Sequence, residues 1–411
     1  MINPNNRIES PYAAIEPPLW AGILATHYRN LGREVSIVDA EALDLTPEQT
    51  AKEVMKLKPH IAMIVVMGNN PSVSSTPKMG VTKKLVDLLK DQTEVSVTGL
   101  HPSALPDETE KELGVYVVSG KVFDGLPPVS WDLLPNYMYR AHNWHCLGGI
   151  KRHPYASIYT SLGCPYSCEF CNIHALYGDE HKIMYRSPDE VIKEIGLLVK
   201  DYGVRNIKFW DELFTFNPDH VHSICEPLIR KDFGLNIWAY ARVDSVKPEL
   251  LKTMKNAGIN WLAYGFEAGS NKVLNNSNKH ATRDEAKQAV AWTHEAGINV
   301  MGNFIFGLSG DTPETMQATL DFAKCLNIEY ANFYEMKAYP GSKIYAEQNK
   351  NWADYDQYKP FKSEANDFRD KAFADYFTDP KYLRHVQKRF GTKTVADIMK
   401  MVKAGKPQSR G

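Results

Sequence analysis

An excess of charge of either sign is missing from this chain of 411 residues, which carries 48 lysines and arginines against 49 acidic residues. Domains that bind nucleic acid through its phosphates usually show a basic excess. The charge balance therefore gives no support for a nucleic-acid partner.

Long apolar runs are missing as well. The longest candidate, IAMIVVMG from Ile61, is far shorter than the roughly 20 residues that cross a bilayer. Its length is that of a buried strand. We therefore expect a soluble protein with no membrane span.

Cysteine is scarce, with six residues along the whole chain. The first residues do not show the charged, apolar and small-residue succession of a secretory signal, and such sparse cysteines do not form a disulfide scaffold. We expect a cytoplasmic protein whose thiols stay reduced and available to metal. The length is sufficient for about two or three domains, so no disulfide is needed for stability.

Strand and helix patterns alternate from the first residues onward, which predicts an α/β fold with parallel sheets. Residues 1–125 show a doubly wound, Rossmann-like pattern: PLWAGILATHYRNLG predicts a helix, and EVSIVDA, HIAMIVVMG and EVSVTG predict strands. Residues 126–150 follow, and the stretch GLPPVSWDLLPNY, rich in proline and aromatics, predicts a linker there.

A second alternation covers residues 151–345 and contains six strand patterns with intervening helices. It predicts a partial (β/α)6 barrel, in which functional residues lie on loops at the carboxyl ends of the strands. Residues 346–411 are charged, aromatic and helical in pattern, so we expect a short C-terminal helical region.

Three of the six cysteines lie in SLGCPYSCEFCN, on the loop that leaves the first barrel strand. With the spacing C-x3-C-x2-C, Cys164, Cys168 and Cys171 can each bind one iron of a cubane cluster and leave the fourth iron open. The alternative is a structural zinc site with His174 as the fourth ligand. The other cysteines stand alone, so we expect no second cluster.

The cysteine spacing, the aromatic Phe170 before the last cysteine and the position after the first barrel strand resemble the radical S-adenosylmethionine (SAM) superfamily. The resemblance implies a [4Fe-4S] cluster whose open iron binds SAM, and reductive cleavage of SAM to a 5′-deoxyadenosyl radical. It also implies an external electron donor such as flavodoxin or ferredoxin.

Two later segments fit the same family pattern. FWDELFTFN resembles the element whose acidic residues meet the methionine amino group, which makes Asp211 and Glu212 candidates; their alternative role is to cap the following helix. YARVDSV places Arg242 where relatives approach the methionyl carboxylate, and an ordinary ion pair is the alternative for this arginine.

The fourth and fifth barrel strands complete the pattern. YGFEAGS resembles the segment that lines the ribose and methionine, with Gly265 permitting close backbone approach and Glu267 supplying an acceptor. NFIFGLSGDTPE resembles the turn beside adenine, where Gly307 allows a tight backbone; taken alone, this glycine indicates only a turn.

The first domain resembles the cobalamin-binding module that precedes the barrel in many radical enzymes. A doubly wound sheet binds ligands at the carboxyl ends of its strands, where the loops at Asn3, Gly68 and Gly99 are expected to meet the corrin. His101 fits the family pattern as a loop residue, and we do not expect it to bind cobalt. The first strand is very short and no D-x-H-x-x-G is present, so a sheet that binds no corrin is the alternative.

These features predict a radical SAM enzyme, and specifically a cobalamin-dependent methyltransferase acting on an unactivated carbon of a small molecule or peptide. Radical cyclase, oxidation or rearrangement chemistry without methyl transfer is the alternative. A zinc-stabilised α/β binding protein is the non-enzyme alternative. The sequence assigns no catalytic residue and no substrate.

Overall fold

The structure is a computed structural model that describes residues 1–6, 10–68, 76–178, 181–348 and 364–405. The predicted loop GNNPS lies outside these ranges except for Gly68, as does the start of the C-terminal region around residue 352. No helix in the described ranges is both long and apolar enough to cross a membrane.

The first sheet has five parallel strands in the order β2-β1-β3-β4-β5. Its strands are β1 (Ile2–Asn3), β2 (Val38–Asp39), β3 (Ile61–Val66), β4 (Glu94–Gly99) and β5 (Tyr116–Val118). Its helices are α1 (Leu19–Asn30), α2 (Pro47–Lys56), α3 (Met79–Leu89), α4 (Leu100–Ala104) and α5 (Pro106–Leu113). The predicted strand EVSIVDA is reduced to two residues.

The short strand β1 occupies the centre of this sheet. Ile2 pairs with Val38 on one side and Ile64 on the other, and its side chain is buried. The neighbouring β3 is an almost continuous run of apolar residues, typical of a parallel strand covered by helices on both faces.

The second sheet has six parallel strands in the order β13-β12-β11-β10-β9-β6. They are β6 (Tyr155–Ile158), β9 (Asn206–Phe209), β10 (Asn236–Ala241), β11 (Ile259–Glu267), β12 (Asn299–Phe306) and β13 (Tyr330–Glu335). β7 (Ser161–Leu162) and β8 (Met184–Tyr185) form a separate antiparallel pair beside the cysteine loop. All six strands predicted for the barrel are present.

Eight helices accompany this sheet in the described residues. They are α6 (His174–Tyr177), α7 (Pro188–Asp201), α8 (Pro218–Lys231), α9 (Pro248–Asn256), α10 (Asn271–Asn276), α11 (Arg283–Glu295), α12 (Pro313–Leu326) and α13 (Lys343–Gln348). Proline begins several of them, because its fixed φ suits the first helical position and its missing N–H would have no partner there.

The C-terminal region is helical, as predicted, with α14 (Glu364–Phe377), α15 (Pro380–Phe390) and α16 (Thr392–Ala404). It is fixed to the barrel at the amino end of β13. The Tyr376 hydroxyl donates to the Ile328 carbonyl at 2.8 Å and the Tyr382 hydroxyl to the Glu329 carbonyl at 3.1 Å. The α/β fold class, with a helical C-terminus, is therefore confirmed.

A buried ion pair joins the two sheets. Lys208 of β9 is 0% exposed, and its Nζ lies 3.4 Å from Oε1 of Glu16, in the segment before α1. The other oxygen of Glu16 accepts from the Tyr155 and Ser157 hydroxyls, each at 2.8 Å. Burial lowers the pKa of Lys208 to about 8, although Glu16 favours its charged form.

Candidate active site

A cavity of about 600 Å³ opens at the carboxyl ends of the barrel strands. Cys164, Cys168 and Cys171 line it, so the structure brings the three predicted ligands to one wall. Loops from the carboxyl end of the first sheet line it too, including Asn6 and Glu41. One space therefore faces both halves of the molecule.

The cysteine loop begins at Gly163, a position where the backbone has a positive φ and where a side chain would not fit. Gly163 has φ +101°, and a Cβ there would come within 2.2 Å of the Lys182 carbonyl oxygen. Further along, the Cys171 amide donates to the Cys168 carbonyl at 3.0 Å. This turn brings Cys168 and Cys171 close together on a loop whose three cysteines all line the cavity.

The charges around the thiols suit a bound metal cluster. Burial raises the pKa of Cys164 to about 11 and that of Cys171 to about 12, so bare thiolates would be unfavourable here. Metal coordination deprotonates such thiols, and the nearby positive charge of Lys279 lowers the pKa of Cys164. The donor set therefore fits an iron–sulfur cluster.

The geometry does not favour the zinc alternative. Among the described residues, the three sulfurs and His174 do not form a set of ligand atoms within 4.8 Å of one another. One zinc ion, with bonds of about 2.3 Å to sulfur, needs closer ligands, whereas separate irons of a cluster allow wider spacing. In addition, Nε2 of His174 is bonded to the Tyr166 carbonyl oxygen at 2.8 Å.

Glu212 lines the cavity and supports the cysteine loop. Its Oε2 accepts from the Gly163 amide at 2.8 Å, and its Oε1 accepts from the Tyr177 hydroxyl at 2.9 Å. Burial raises the pKa of Glu212 to about 7. This carboxyl can therefore change protonation near neutral pH.

Asp211 lies behind this wall and does not line the cavity. Its carboxylate accepts from the Thr160 amide at 2.7 Å, the Thr160 hydroxyl at 2.5 Å and the Ser161 hydroxyl at 2.6 Å. Burial raises its pKa. These bonds hold the end of β6 against the end of β9, which explains its burial without a cofactor.

Arg242 lies beside the cysteine loop with its guanidinium carbon 3.7 Å from the centre of the Tyr166 ring. Nε and Nη2 donate to the two carboxylate oxygens of Asp244 at 3.0 and 2.9 Å. Nη2 also donates to the Lys279 carbonyl at 2.8 Å. Arg242 also lines the cavity.

Glu267 and Gly265 form a compact wall at the end of β11. Glu267 has φ +60°, and its Oε1 accepts from Nζ of Lys279 at 2.9 Å. A Cβ on Gly265 would lie 2.3 Å from this carboxylate oxygen and 3.0 Å from Nζ of Lys279. Gly265 therefore leaves room for the Glu267–Lys279 pair at the cavity surface.

Phe170 and Gly307 differ in their placement. Phe170 lines the cavity and packs against an apolar cluster that contains Ala268 and Met336. Gly307 is not among the lining residues; it has φ +85°, and its amide donates to Oδ2 of Asp311 at 2.9 Å. Its left-handed backbone shapes the turn after β12.

The candidate corrin residues also separate into two groups. Asn3 and Gly68 line a narrow space between the sheets, together with Trp20. Gly99 and His101 line neither this space nor the large cavity. A Cβ on Gly99 would lie 2.2 Å from the Val66 carbonyl oxygen, so this glycine serves the close approach of β4 to β3. Burial lowers the pKa of His101 to about 3.

A buried polar network supports the carboxyl end of the first sheet. Asn3 donates to Asp39 at 2.8 Å and accepts from Nζ of Lys78 at 2.9 Å. Lys78 also pairs with Glu41 at 2.6 Å, and Glu41 lines the large cavity. The network thus connects Asn3 to the cavity wall.

Lys279 and Tyr166 are among the cavity residues that the sequence reasoning missed. Lys279 lies on a loop twelve positions after its partner Glu267, without a motif of its own. Tyr166 stacks on Arg242, and no feature of the sequence marks it for this contact. A buried lysine beside clustered thiols is visible only in three dimensions.

Two family models match the chain: the radical SAM superfamily over residues 158–323 and the B12 binding domain over residues 10–127. An uncharacterized methyltransferase of Pyrococcus horikoshii is 29% identical, covering 89% of this chain and 89% of that protein. An anaerobic magnesium-protoporphyrin IX monomethyl ester cyclase of Rubrivivax gelatinosus is 25% identical, covering 80% of this chain and 66% of its own length.

A solved structure is similar in fold to most of this chain. It is the radical S-adenosylmethionine methyltransferase TsrM from Kitasatospora setae, solved with cobalamin and a [4Fe-4S] cluster bound. It matches with a TM-score of 0.67 and 18% identity over 84% of this chain and 76% of its own. At this identity, the likeness shows a common fold.

Proposed function

The chain belongs to the radical SAM superfamily, with a B12-binding domain ahead of the barrel, and from this we propose that it is a cobalamin-dependent methyltransferase acting on an unactivated carbon. The observation that carries the proposal is the single cavity lined by both the cysteine loop and the carboxyl-end loops of the first sheet. A methyl carrier and a radical source need such a common space.

The proposed cofactors are a [4Fe-4S] cluster, SAM and cobalamin. When bound, the cluster and SAM would supply a 5′-deoxyadenosyl radical by reductive cleavage of SAM, and cobalamin would supply a methyl group carried on cobalt. The residues of the chain bind and orient them. We assign Cys164, Cys168 and Cys171 to the cluster. Glu212 fixes the start of their loop through its bond from the Gly163 amide.

We assign the methionine end of SAM to the wall formed by Arg242, Gly265 and Glu267. Only one oxygen of Glu267 is bonded to Lys279, so the other can accept from the amino group. Nη1 of Arg242 can donate to the carboxylate, since Nε and Nη2 are already engaged. Phe170 covers the apolar side of this wall. Gly307 shapes the turn expected beside adenine.

We place the corrin against the carboxyl end of the first sheet, where Asn6 and Glu41 line the cavity and Asn3 and Gly68 lie beneath. Gly99 and His101 are assigned structural roles, because neither residue lines the space. The half-buried walls exclude water from the region in which a reactive radical would otherwise be quenched.

The domain limits at residues 125, 150 and 345 remain our division of the chain. We also propose that the protein works in a reducing cytoplasm and receives its electron from a flavodoxin or ferredoxin. The even charge balance of the chain offers no preference between these two donors.

Anaerobic reconstitution with SAM, cobalamin and a reductant, followed by product analysis, tests the proposal. Methyl transfer with radical initiation produces S-adenosylhomocysteine as well as 5′-deoxyadenosine. The Cys168→Ala variant serves as the control without cluster. Absence of S-adenosylhomocysteine with cobalamin bound would contradict methyl transfer.

Radical chemistry without methyl transfer is the second candidate, supported by the similarity to the ester cyclase over 80% of this chain. In that case 5′-deoxyadenosine would form alone. The same reconstitution without cobalamin distinguishes the two candidates, because only methyl transfer requires it as the carrier.

A further inference from the structure

The cavity has a second wall built by late parts of the chain. Phe373 of α14 and Met401 of α16 line it, together with Trp144 and Tyr330. Tyr330 is the first residue of β13, so this wall reaches the amino end of a strand whose carboxyl end faces the cysteine side. These residues lie outside the range 158–323 that matches the superfamily model.

This wall is apolar and aromatic. Trp144 and Tyr330 stack with their ring centres 6.1 Å apart and an angle of 29°. The Tyr330 hydroxyl donates to the sulfur of Met401 at 3.4 Å, so the one polar group of this side chain is bonded within the wall. Phe373 and Met401 are both buried and add apolar surface.

The cations beside Phe373 on α14 and at the carboxyl end of β13 already contact carboxylates. Arg369 contacts Glu335, and its second contact is with Asp370 at 2.8 Å. Lys337 lies 3.3 Å from Glu335. Arg369 and Lys337 thus each already contact a carboxylate. Glu335 lines the cavity with them, whereas Asp370 is exposed and does not line it.

Two amides supply the polar character of the inner barrel surface. Asn303 and Asn332 are register partners on β12 and β13, and Nδ2 of Asn332 donates to Oδ1 of Asn303 at 3.3 Å. Both side chains are half-buried and line the cavity. Nδ2 of Asn332 also donates to the sulfur of Met301 at 3.5 Å. The amide pair still has more donors and acceptors than these two bonds use.

We propose that the substrate is an uncharged, ring-bearing molecule, whose apolar face lies on Trp144, Tyr330 and Met401 and whose polar group bonds to Asn303 and Asn332. This inference rests on the proposed function, since it concerns the substrate of the same cavity. A charged ligand would lose its hydration here without an unneutralised counter-charge.

A cluster around Glu329 holds the C-terminal wall in place. Nε2 of His385 and Nε of Arg389, both on α15, lie 3.0 and 3.3 Å from its Oε1. Oε2 contacts Nε2 of His294 at 3.1 Å and the Val300 amide at 2.7 Å. Histidine and glutamate are zinc ligands, but the fixed charge of Arg389 on this carboxylate favours a structural anchor.

A matched pair of probes tests the substrate class on the anaerobically reconstituted protein with SAM. 2-Naphthol and 2-naphthoate share one ring system and differ in charge at neutral pH. We expect 2-naphthol to bind at least tenfold more tightly by calorimetry. Equal or tighter binding of 2-naphthoate would overturn the proposed class.

Two variants test the location. Met401→Lys should weaken 2-naphthol binding at least tenfold, while Lys400→Ala, at the exposed neighbouring position of α16, should leave it unchanged. Met401→Ala is the second variant, used in case Met401→Lys does not fold. It enlarges the cavity at this wall without introducing charge, so it should change the affinity for 2-naphthol relative to that for phenol. Unchanged binding in both Met401 variants would overturn the location.

Asn332→Leu tests the polar contact. We expect it to reduce the preference for 2-naphthol over naphthalene, and an unchanged preference would remove the amides from the proposal. Iron content and SAM affinity are measured on the same samples. If the unmodified protein holds no iron and does not bind SAM, the proposed function is contradicted. If it holds iron and binds SAM but does not bind 2-naphthol, only this inference is contradicted.

Discussion

The backbone amide of Gly163 donates to Oε2 of Glu212 at 2.8 Å, one residue before the first cysteine of the candidate cluster loop. The loop after β9 thereby fixes the loop after β6. The same carboxyl accepts from the Tyr177 hydroxyl, so both of its oxygens are engaged. The position of the cysteines therefore depends on a residue that is not a metal ligand.

Glu212→Gln should loosen the cysteine loop. The amide oxygen can still accept from the Gly163 amide, but the amide nitrogen can only donate, so the Tyr177 hydroxyl must turn to accept and loses its bond to a carboxylate, at a cost of about 1 kcal/mol. We expect a lower iron content after gel filtration and a lower unfolding temperature. Glu226→Gln, at an exposed position of α8, is the control. Full iron retention in Glu212→Gln would show that the cysteine loop keeps its conformation without the Glu212 carboxylate.

Glu212 also predicts a dependence on pH. Burial raises its folded pKa from 4.5 to about 7, so the folded state holds this proton while the unfolded state has lost it. The contribution of Glu212 protonation to the free energy of unfolding is complete below pH 4.5 and is lost as the pH rises through about 7. The difference in unfolding free energy between the parent and Glu212→Gln should follow this window in the cluster-free protein.

Replacing Cys164, Cys168 or Cys171 by alanine should each remove the cluster, because two thiolates hold a cubane poorly. The measurement is iron and sulfide per chain after anaerobic purification. Cys325→Ala, at an exposed position, should keep about four irons per chain. Stoichiometric zinc in the parent protein would contradict the cluster assignment.

Glu267→Gln should weaken SAM binding by about 1–3 kcal/mol, because a charged acceptor for the amino group is lost. The cluster should remain, since Glu267 is not a ligand. Glu295→Gln, exposed at the end of α11, is the control. An unchanged SAM dissociation constant would give Glu267 a purely structural role beside Lys279.

Cobalamin should bind without a protein histidine on cobalt. His101 lines neither described space, and the Nδ1 atom of His142, which does line the cavity, accepts from the Ala14 amide at 3.3 Å. Electron paramagnetic resonance of bound cob(II)alamin should show no coupling to an imidazole nitrogen of the protein. Coupling that disappears in His101→Ala or His142→Ala would contradict this assignment.

Apolar strands could be read directly from the sequence because parallel strands covered on both faces need long runs of apolar residues. The site could be read only in part. Asp211 and Glu212 are adjacent and chemically alike, yet their side chains diverge beyond β9, and only Glu212 reaches the cavity. No pattern along the chain distinguishes them, because the direction of each depends on β6 and the cysteine loop.

The position of Lys279 was equally inaccessible. Its partner Glu267 has a left-handed backbone, and Gly265 leaves space for their contact. The sequence shows the glycine and the acid but not the returning loop that brings the lysine back. Tertiary contact, and not local preference, determines this part of the site.

The Glu16–Lys208 pair makes the two halves of the molecule one thermodynamic unit. Separating the halves would break this pair and expose to water the apolar residues of both halves that form one core cluster. Neither half can melt first without exposing apolar surface of the other. Heating the cofactor-free protein should therefore give one cooperative calorimetric transition, and isolated halves should be less stable than the whole.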